Sequence, residues 1–142
     1  MTYVIDMHTG GRQRRRRVAR TRWLDGDGTW VVSARVERFA EPVLLLALRN
    51  GSAHGYELAD ELGRQFPDGH VDLGNLYRLL RSMEAEGLVE SEWHHEAEGR
   101  SKRTYELTAE GSALLNAWAH SLRATDETIS AFLRIYDEGS RP

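Results

Sequence analysis

The chain has 142 residues, of which 40% are hydrophobic and 29% are charged, as expected for one globular domain. It contains no cysteine, which excludes disulfide bonds, thiolate zinc sites and thiol nucleophiles. No segment approaches the ~20 apolar residues of a membrane helix, so we expect a cytoplasmic protein without a membrane partner. The net charge of −3 is unevenly distributed, because residues 1–35 carry eight arginines against three aspartates and the remainder is acidic. Any surface that binds nucleic acid must therefore be a local basic patch.

The first 35 residues are predicted to form a flexible, arginine-rich extension. The run GRQRRRR at residues 11–17 is a block of like charges that repels itself and resists packing. Residues 25–28 are typical of a turn, and the apolar piece at 30–32 is interpreted as a strand or a tether. Two interpretations of the arginine run stay open. It is either an arm that grips phosphates, or a disordered tail or translated leader ahead of the true start.

Three helices are predicted between residues 36 and 87. The first has Pro42 in its opening turn, where a missing N–H is harmless, and is apolar on every side over residues 43–48. The second is predicted to follow Ser52 as its cap, and the third to follow Asp72 as its cap and to end at Gly87. Apolar residues recur at helical spacing: Tyr56, Leu58, Leu62 and Phe66 in the second helix, and Leu73, Leu76, Leu80 and Met83 in the third.

Beyond Gly87 the apolar pattern changes from helical to alternating. Residues 88–93 and 104–107 are typical of two β-strands joined by a polar tip that contains glycine. Thr108 then caps a long final helix, whose apolar residues keep an unbroken heptad spacing. This order predicts a mainly α fold with a small β-hairpin wing, that is, a winged helix-turn-helix plus a long C-terminal dimerisation helix. The predicted parts are an extension at 1–35, the winged domain at 36–108, the dimerisation helix at 109–137 and a tail at 138–142.

Four segments of this region resemble one known family, in the family's order. They are HGYEL at residues 54–58, LGNLYR at 73–78, EGLVESEW at 86–93 and GRSKRTYELT at 99–108. Together they resemble the PadR-like transcriptional regulators over residues 36–137. Within that family, FAEP at 39–42 with NAWA at 116–119 looks like members labelled polyhydroxybutyrate-responsive repressors. The resemblance implies a dimeric DNA-binding regulator, with ligands bound at the dimer interface or where the last helix meets the DNA-binding domain.

The side of the third helix opposite its apolar stripe is the predicted DNA-reading surface. Arginine reads guanine and asparagine reads adenine in the major groove, and glycine at the helix start lets the backbone approach a phosphate. Basic residues at the hairpin tip would add phosphate contacts. The alternatives are a solvated face whose arginines pair with Glu84 or Glu86, and an ordinary soluble turn. The predicted DNA-binding residues are Asp72, Gly74, Asn75, Tyr77, Arg78, Arg81, Arg100, Ser101, Lys102 and Arg103.

The heptad spacing of the last helix predicts a homodimer. Its first turns can pack against the domain's own core, but its later turns extend past that core and need a second subunit to cover them. A two-fold dimer would present two recognition helices ~34–36 Å apart to double-stranded DNA, and would require an inverted-repeat operator. The predicted dimerisation residues are Leu115, Trp118, Leu122, Thr125, Ile129, Phe132 and Tyr136.

No catalytic, metal or cofactor site is predicted, and the chain is not expected to be an enzyme. His94 and His95 precede Glu96, but neighbouring strand residues point to opposite faces and cannot converge on one ion. His54, beside a glycine, is expected to pack or to cap at a helix start. No phosphate loop, nucleophile triad or carboxylate pair stands out in the sequence.

Two functions of different class fit these patterns. The first is a sequence-specific DNA-binding repressor, modulated by a small-molecule effector of unknown identity that changes the spacing of the two recognition helices. Trp93, Trp118 and Tyr136 would then line an effector pocket, although core packing explains them equally well. The second is a winged-helix protein-interaction module without specific DNA binding, which the acidic body favours.

Overall fold

The computed structural model describes residues 21–51, 53–66, 75–95 and 101–140. The chain divides into two compact units, Met1–Glu37 and Arg38–Pro142. The arginine run at 11–17 lies outside the described residues. In the part of the chain that is described, no helix combines the length and the apolar character that a membrane crossing requires.

The described part of the first unit is a β-hairpin. Strands β1 (Arg22–Leu24) and β2 (Trp30–Val32) pair antiparallel. Oδ1 of Asp25 closes the turn by accepting the backbone N–H groups of Asp27 at 2.8 Å and Thr29 at 3.0 Å. The turn and the strand at 30–32 are thereby confirmed, and the extension predicted to be flexible contains a two-stranded sheet.

Three helices begin the second unit: α1 (Ala40–Leu48), α2 (Gly55–Gln65) and α3 (Leu76–Ala85). Most residues of their predicted apolar stripes meet in one core, and Leu73 lies outside the described residues. Burial of this apolar surface is the main favourable contribution to folding. The core residues are Val43, Leu44, Leu45, Leu48, Leu58, Leu62, Leu76, Leu80, Met83, Leu88, Val89, Tyr105 and Leu115.

The helices differ from the prediction in where they begin. A short strand, β3 (Ala53–His54), precedes α2, because these two residues pair with the later strand β5 (Ser101–Leu107). The predicted helix start directly after Ser52 is therefore wrong. The predicted start of α3 after Asp72 is also wrong, since that helix begins at Leu76. Both predicted caps lie outside the described residues.

The first helix is not buried on every side as predicted. Leu44 and Leu45 are fully buried, whereas 41% of Leu46 is exposed. The contacts of α1 are with α2, β5 and the last helix, which cover part of its circumference. A continuous apolar run indicates a helix close to the core, and does not show that every side chain of the run is covered.

Strands β4 (Val89–His95) and β5 form the hairpin that we call the wing. With β3 they make a three-stranded antiparallel sheet in the order β3-β5-β4. Ser91 lies opposite Tyr105 and Trp93 opposite Arg103 in this register. The two predicted strands are confirmed, and both are longer than the sequence pattern indicated.

The last helix, α4 (Ala109–Gly139), begins directly after the wing. The hydroxyl of Thr108 accepts the backbone N–H of Gly111 at 3.1 Å, so the predicted cap is confirmed. The same hydroxyl donates to the carbonyl oxygen of Gly87 at 2.7 Å. At its other end α4 runs to Gly139, past the predicted end at residue 137.

The first half of α4 packs on the core of its own chain. Leu115 is 8% exposed and belongs to that core. Nε1 of Trp118 donates to Oε1 of Glu41 on α1 at 2.9 Å, and the indole packs against core residues. Both residues are among the predicted dimerisation residues, and within the single chain they pack on its own core, as allowed for the first turns of this helix.

Candidate nucleic-acid interface

Tyr77, Arg78 and Arg81 share the exposed side of α3, which we call the recognition face. Residues three and four apart are neighbours on a helix surface. The opposite side carries Leu76, Leu80 and Met83, none more than 4% exposed. No described residue forms an ion pair with either arginine. The predicted division of this helix into a buried stripe and a basic face is thus confirmed.

The start of α3 is described only in part. Asn75 occupies the N-cap position, is exposed, and makes no side-chain capping bond. Its predicted role as a DNA-binding residue stays a prediction. The predicted contacts at Asp72 and Gly74 lie outside the described residues.

The wing supplies further cations next to the recognition face. Nζ of Lys102 lies 5.8 Å from the centre of the Tyr56 ring at the start of α2. Arg103 lies on β5 beside it and is half-buried. Of the other predicted wing contacts, Arg100 lies outside the described residues, and Ser101 is placed by its backbone as the first residue of β5.

Arg103 differs from the arginines of α3 in having an acidic partner. Its Nη2 lies 2.8 Å from Oε2 of Glu84, and its Nε lies 2.8 Å from Oγ of Ser91. The pairing with Glu84 that was considered as an alternative for the arginines of α3 is therefore made by an arginine of the wing. Its charge is balanced within the protein.

Tyr56 belongs to this surface, although it was not among the predicted DNA-binding residues. It was predicted to be an apolar residue of α2, but 49% of it is exposed and its ring stacks on His54 at 5.4 Å. A signal was present, since Tyr56 precedes Leu58 by two positions, about 200° around a helix. His54 packs as predicted but does not cap α2 through its side chain.

An open cleft of about 340 Å³ lies between the recognition face, the start of α2 and the wing. Its walls are largely aromatic, and Arg81 and Lys102 bring positive charge to them. Gly55 allows Tyr77 to close one end, because a Cβ at Gly55 would lie 2.5 Å from Cε1 of that ring. The cleft suits a ligand with a flat apolar part and an anionic group.

The wing histidines, His94 and His95, are not part of a metal site among the described residues. Nε2 of His94 lies 2.9 Å from Oγ1 of Thr104 and 3.9 Å from a carboxylate oxygen of Glu92. Across the described ranges, no three histidine, cysteine or acidic residues are grouped so as to hold a metal ion. Glu96 lies outside these ranges.

The second half of α4 is the other exposed surface of interest. From residue 125 onward its side chains are exposed except for a half-buried Ala131. The large apolar residues on it are 49–67% exposed, and are Ile129, Phe132, Leu133, Ile135 and Tyr136. Of the predicted dimerisation residues, Leu122 is half-buried, and Thr125, Ile129, Phe132 and Tyr136 are exposed.

Residues 44–117, more than half of the chain, match the sequence profile of the PadR-like transcriptional regulator family. The chain belongs to this family. The resemblance drawn from the four motifs is confirmed, and PadR-like proteins are transcriptional regulators rather than enzymes, as predicted. The finer resemblance to polyhydroxybutyrate-responsive repressors stays a prediction. No curated protein sequence matches this PadR-like chain.

Solved structures support the same fold. A transcriptional regulator of Thermoplasma acidophilum is 26% identical, with a TM-score of 0.58 over 67% of this chain and 90% of its own. A PadR-like transcriptional regulator of Bacillus cereus is also 26% identical, with a TM-score of 0.57 over 66% of this chain and 89% of its own. PadR of Bacillus subtilis, solved with operator DNA, is 22% identical, with a TM-score of 0.53 over 58% of this chain and 47% of its own. The winged helix-turn-helix fold predicted from the sequence is thus confirmed.

Proposed function

We propose that this PadR-like protein is a cytoplasmic repressor that binds an inverted-repeat operator as a homodimer. The observation that carries the proposal is the recognition face, where Arg78 and Arg81 are exposed and have no acidic partner among the described residues. Arginines on an exposed helix face of a winged domain are suited to guanine edges and phosphates.

The charge distribution supports the same function. The chain is acidic overall, with a net charge of −3, so its long-range field does not attract DNA. Cations are nevertheless concentrated where α3 meets the wing, at Arg81 and Lys102. A concentration of positive charge on one surface of an acidic protein favours a specific polyanionic partner.

The exposed half of α4 supports a dimer. Phe132 and Tyr136 are 67% and 65% exposed in the single chain, on a helix whose earlier turns are packed. Contiguous apolar side chains of this size are usually covered by another protein surface. A second copy of α4 would cover them symmetrically and would set the distance between the two recognition faces. The operator complex of the Bacillus subtilis relative is consistent with DNA as the partner.

The test starts from a randomised pool of DNA duplexes, from which the purified protein selects its site. We expect enrichment of an inverted repeat and binding that weakens steeply with salt. Arg78→Ala should weaken binding to the selected duplex about 10- to 100-fold, since a base-reading arginine contributes about 1–3 kcal/mol. Affinity is measured by fluorescence anisotropy across a salt series.

Arg123→Ala is the matched control, because Arg123 is exposed on α4 and its removal changes the total charge equally. It should change the affinity less than twofold, because Arg123 belongs neither to α3 nor to the wing. If no sequence is enriched, or if the two variants behave alike, the repressor proposal is wrong. The result would then favour the protein-interaction module.

A further inference from the structure

Three polar side chains join α3 to the wing in a closed set of hydrogen bonds. Arg103 donates from Nη2 to Oε2 of Glu84 at 2.8 Å and from Nε to Oγ of Ser91 at 2.8 Å. Ser91 in turn donates its hydroxyl to the other carboxylate oxygen of Glu84. Since the residues come from α3, β4 and β5, the set links three elements. We call it the polar clamp.

The clamp is partly shielded from solvent. The side chains of Arg103 and Glu84 are 33% and 29% exposed. The guanidinium carbon of Arg103 lies 5.5 Å from the ring centre of Trp93 and 5.6 Å from that of the buried Tyr105. Aromatic contacts on this side chain and hydrogen bonds to a carboxylate limit the positions that the guanidinium group can adopt.

The position of the clamp along the wing gives it a specific role. Strand β4 is described throughout, and Val89 is its only buried residue. Ser91 is half-buried, and the residues beyond it are exposed. Apolar packing and the pairing of β5 with β3 therefore fix the base of the wing, while the clamp lies where both end.

We propose that Arg103 is a positioning residue. Together with Glu84 and Ser91 it holds the outer part of the wing, residues 91–95 and 101–104, in a fixed place relative to α3. The recognition face and Lys102 of the wing then meet the same stretch of duplex. This proposal rests on the proposed DNA binding. It replaces the prediction that Arg103 contacts a phosphate, because Glu84 already balances its charge.

The effect of Glu84→Gln on DNA affinity distinguishes two possible roles of Arg103, because the two roles predict opposite changes. If Arg103 contacts phosphate, removing the carboxylate charge frees Arg103 and tightens DNA binding. If Arg103 positions the wing, the same change loosens the clamp and weakens binding. We expect Glu84→Gln and Arg103→Gln each to weaken binding to the selected duplex about three- to tenfold, with the double variant no weaker than either single variant.

The salt dependence gives a second distinction. Loss of a phosphate contact lowers the slope of log K against log salt by ~0.9, whereas we expect Arg103→Gln to leave the slope unchanged. The matched control is Glu86→Gln, which makes the same charge change at an exposed residue at the end of α3, outside the clamp. That control should leave binding unchanged or slightly tighter.

Amide hydrogen exchange in the DNA-free protein tests the positioning directly. We expect both clamp variants to exchange faster in the wing at residues 91–95 and 101–104, with α4 unchanged and thermal unfolding still cooperative. Unchanged exchange in the wing, or tighter DNA binding by Glu84→Gln, would overturn the proposal. If the wild-type protein selects no duplex, the proposed function fails, and the exchange measurement alone decides the role of the clamp.

Discussion

The two halves of α4 carry the same heptad spacing but have different surroundings. In the first half, Leu115 is 8% exposed and Trp118 is bonded to α1. In the second half, Ile129 and Phe132 are 49% and 67% exposed. The comparison shows that apolar spacing identifies a stripe that must be covered, while the covering surface depends on where the rest of the chain lies. One continuous helix thus packs on the chain's own core in its first half and exposes large apolar side chains in its second half.

The largest expected effect is on the packed half. Leu115→Ala should lower the free energy of unfolding by about 2–4 kcal/mol, because it opens a cavity in the core. The loss should be the same at every protein concentration, since the residue contacts its own chain. Denaturant unfolding at two concentrations measures it. A loss that disappears on dilution would place Leu115 in the dimer interface instead.

A substitution in the exposed half should weaken the dimer rather than destabilise the single chain. Phe132→Ala is expected to raise the dimer dissociation constant about 10- to 100-fold, as loss of a central aromatic contact costs about 1–3 kcal/mol. Analytical ultracentrifugation measures the shift. Glu127→Ala, five residues earlier on the exposed part of α4, is the control and should leave the dimer intact. A wild-type protein that sediments as a monomer would contradict the assignment of this half to a partner.

The smallest effect concerns the bond that attaches the packed half to α1. Trp118→Phe removes the donor to Glu41 and should lower the free energy of unfolding by about 1 kcal/mol. Glu41→Gln retains an oxygen acceptor and should have a smaller effect, measured by the same denaturant titration. Equal losses in the two variants would show that ring packing and the carboxylate charge, rather than the hydrogen bond, carry the contact.

Much of the fold could be predicted from the sequence because its long elements are periodic. Helical spacing identified Leu76, Leu80 and Met83 as a stripe, and all three are buried. The strands that were missed are β1 and β3, which have three and two residues and are too short to show a period. Two predicted helix starts were wrong because a residue of a type that often caps helices precedes the actual start. Asp72, for example, lies four positions before the first residue of α3.

The part of the candidate site that lies on α3 could be predicted from the sequence. The recognition face follows from the spacing within α3, which needs no tertiary information. The pairing of Arg103 with Glu84 links residues 19 positions apart and depends on the register of the wing, so the sequence pattern could not show it. The wing arginine was therefore assigned a role from its charge alone.

The start of α4 is attached by hydrogen bonds to two of the residues that join α3 to the wing. Thr108 donates its backbone N–H to the carbonyl oxygen of Leu88 at 3.1 Å and its hydroxyl to that of Gly87. Gly111 allows α4 to press so closely on Leu88 that a Cβ there would overlap the same carbonyl oxygen. The start of α4 thus lies directly against two of the residues that join α3 to the wing. We therefore expect a tilt of α4 to displace the end of α3.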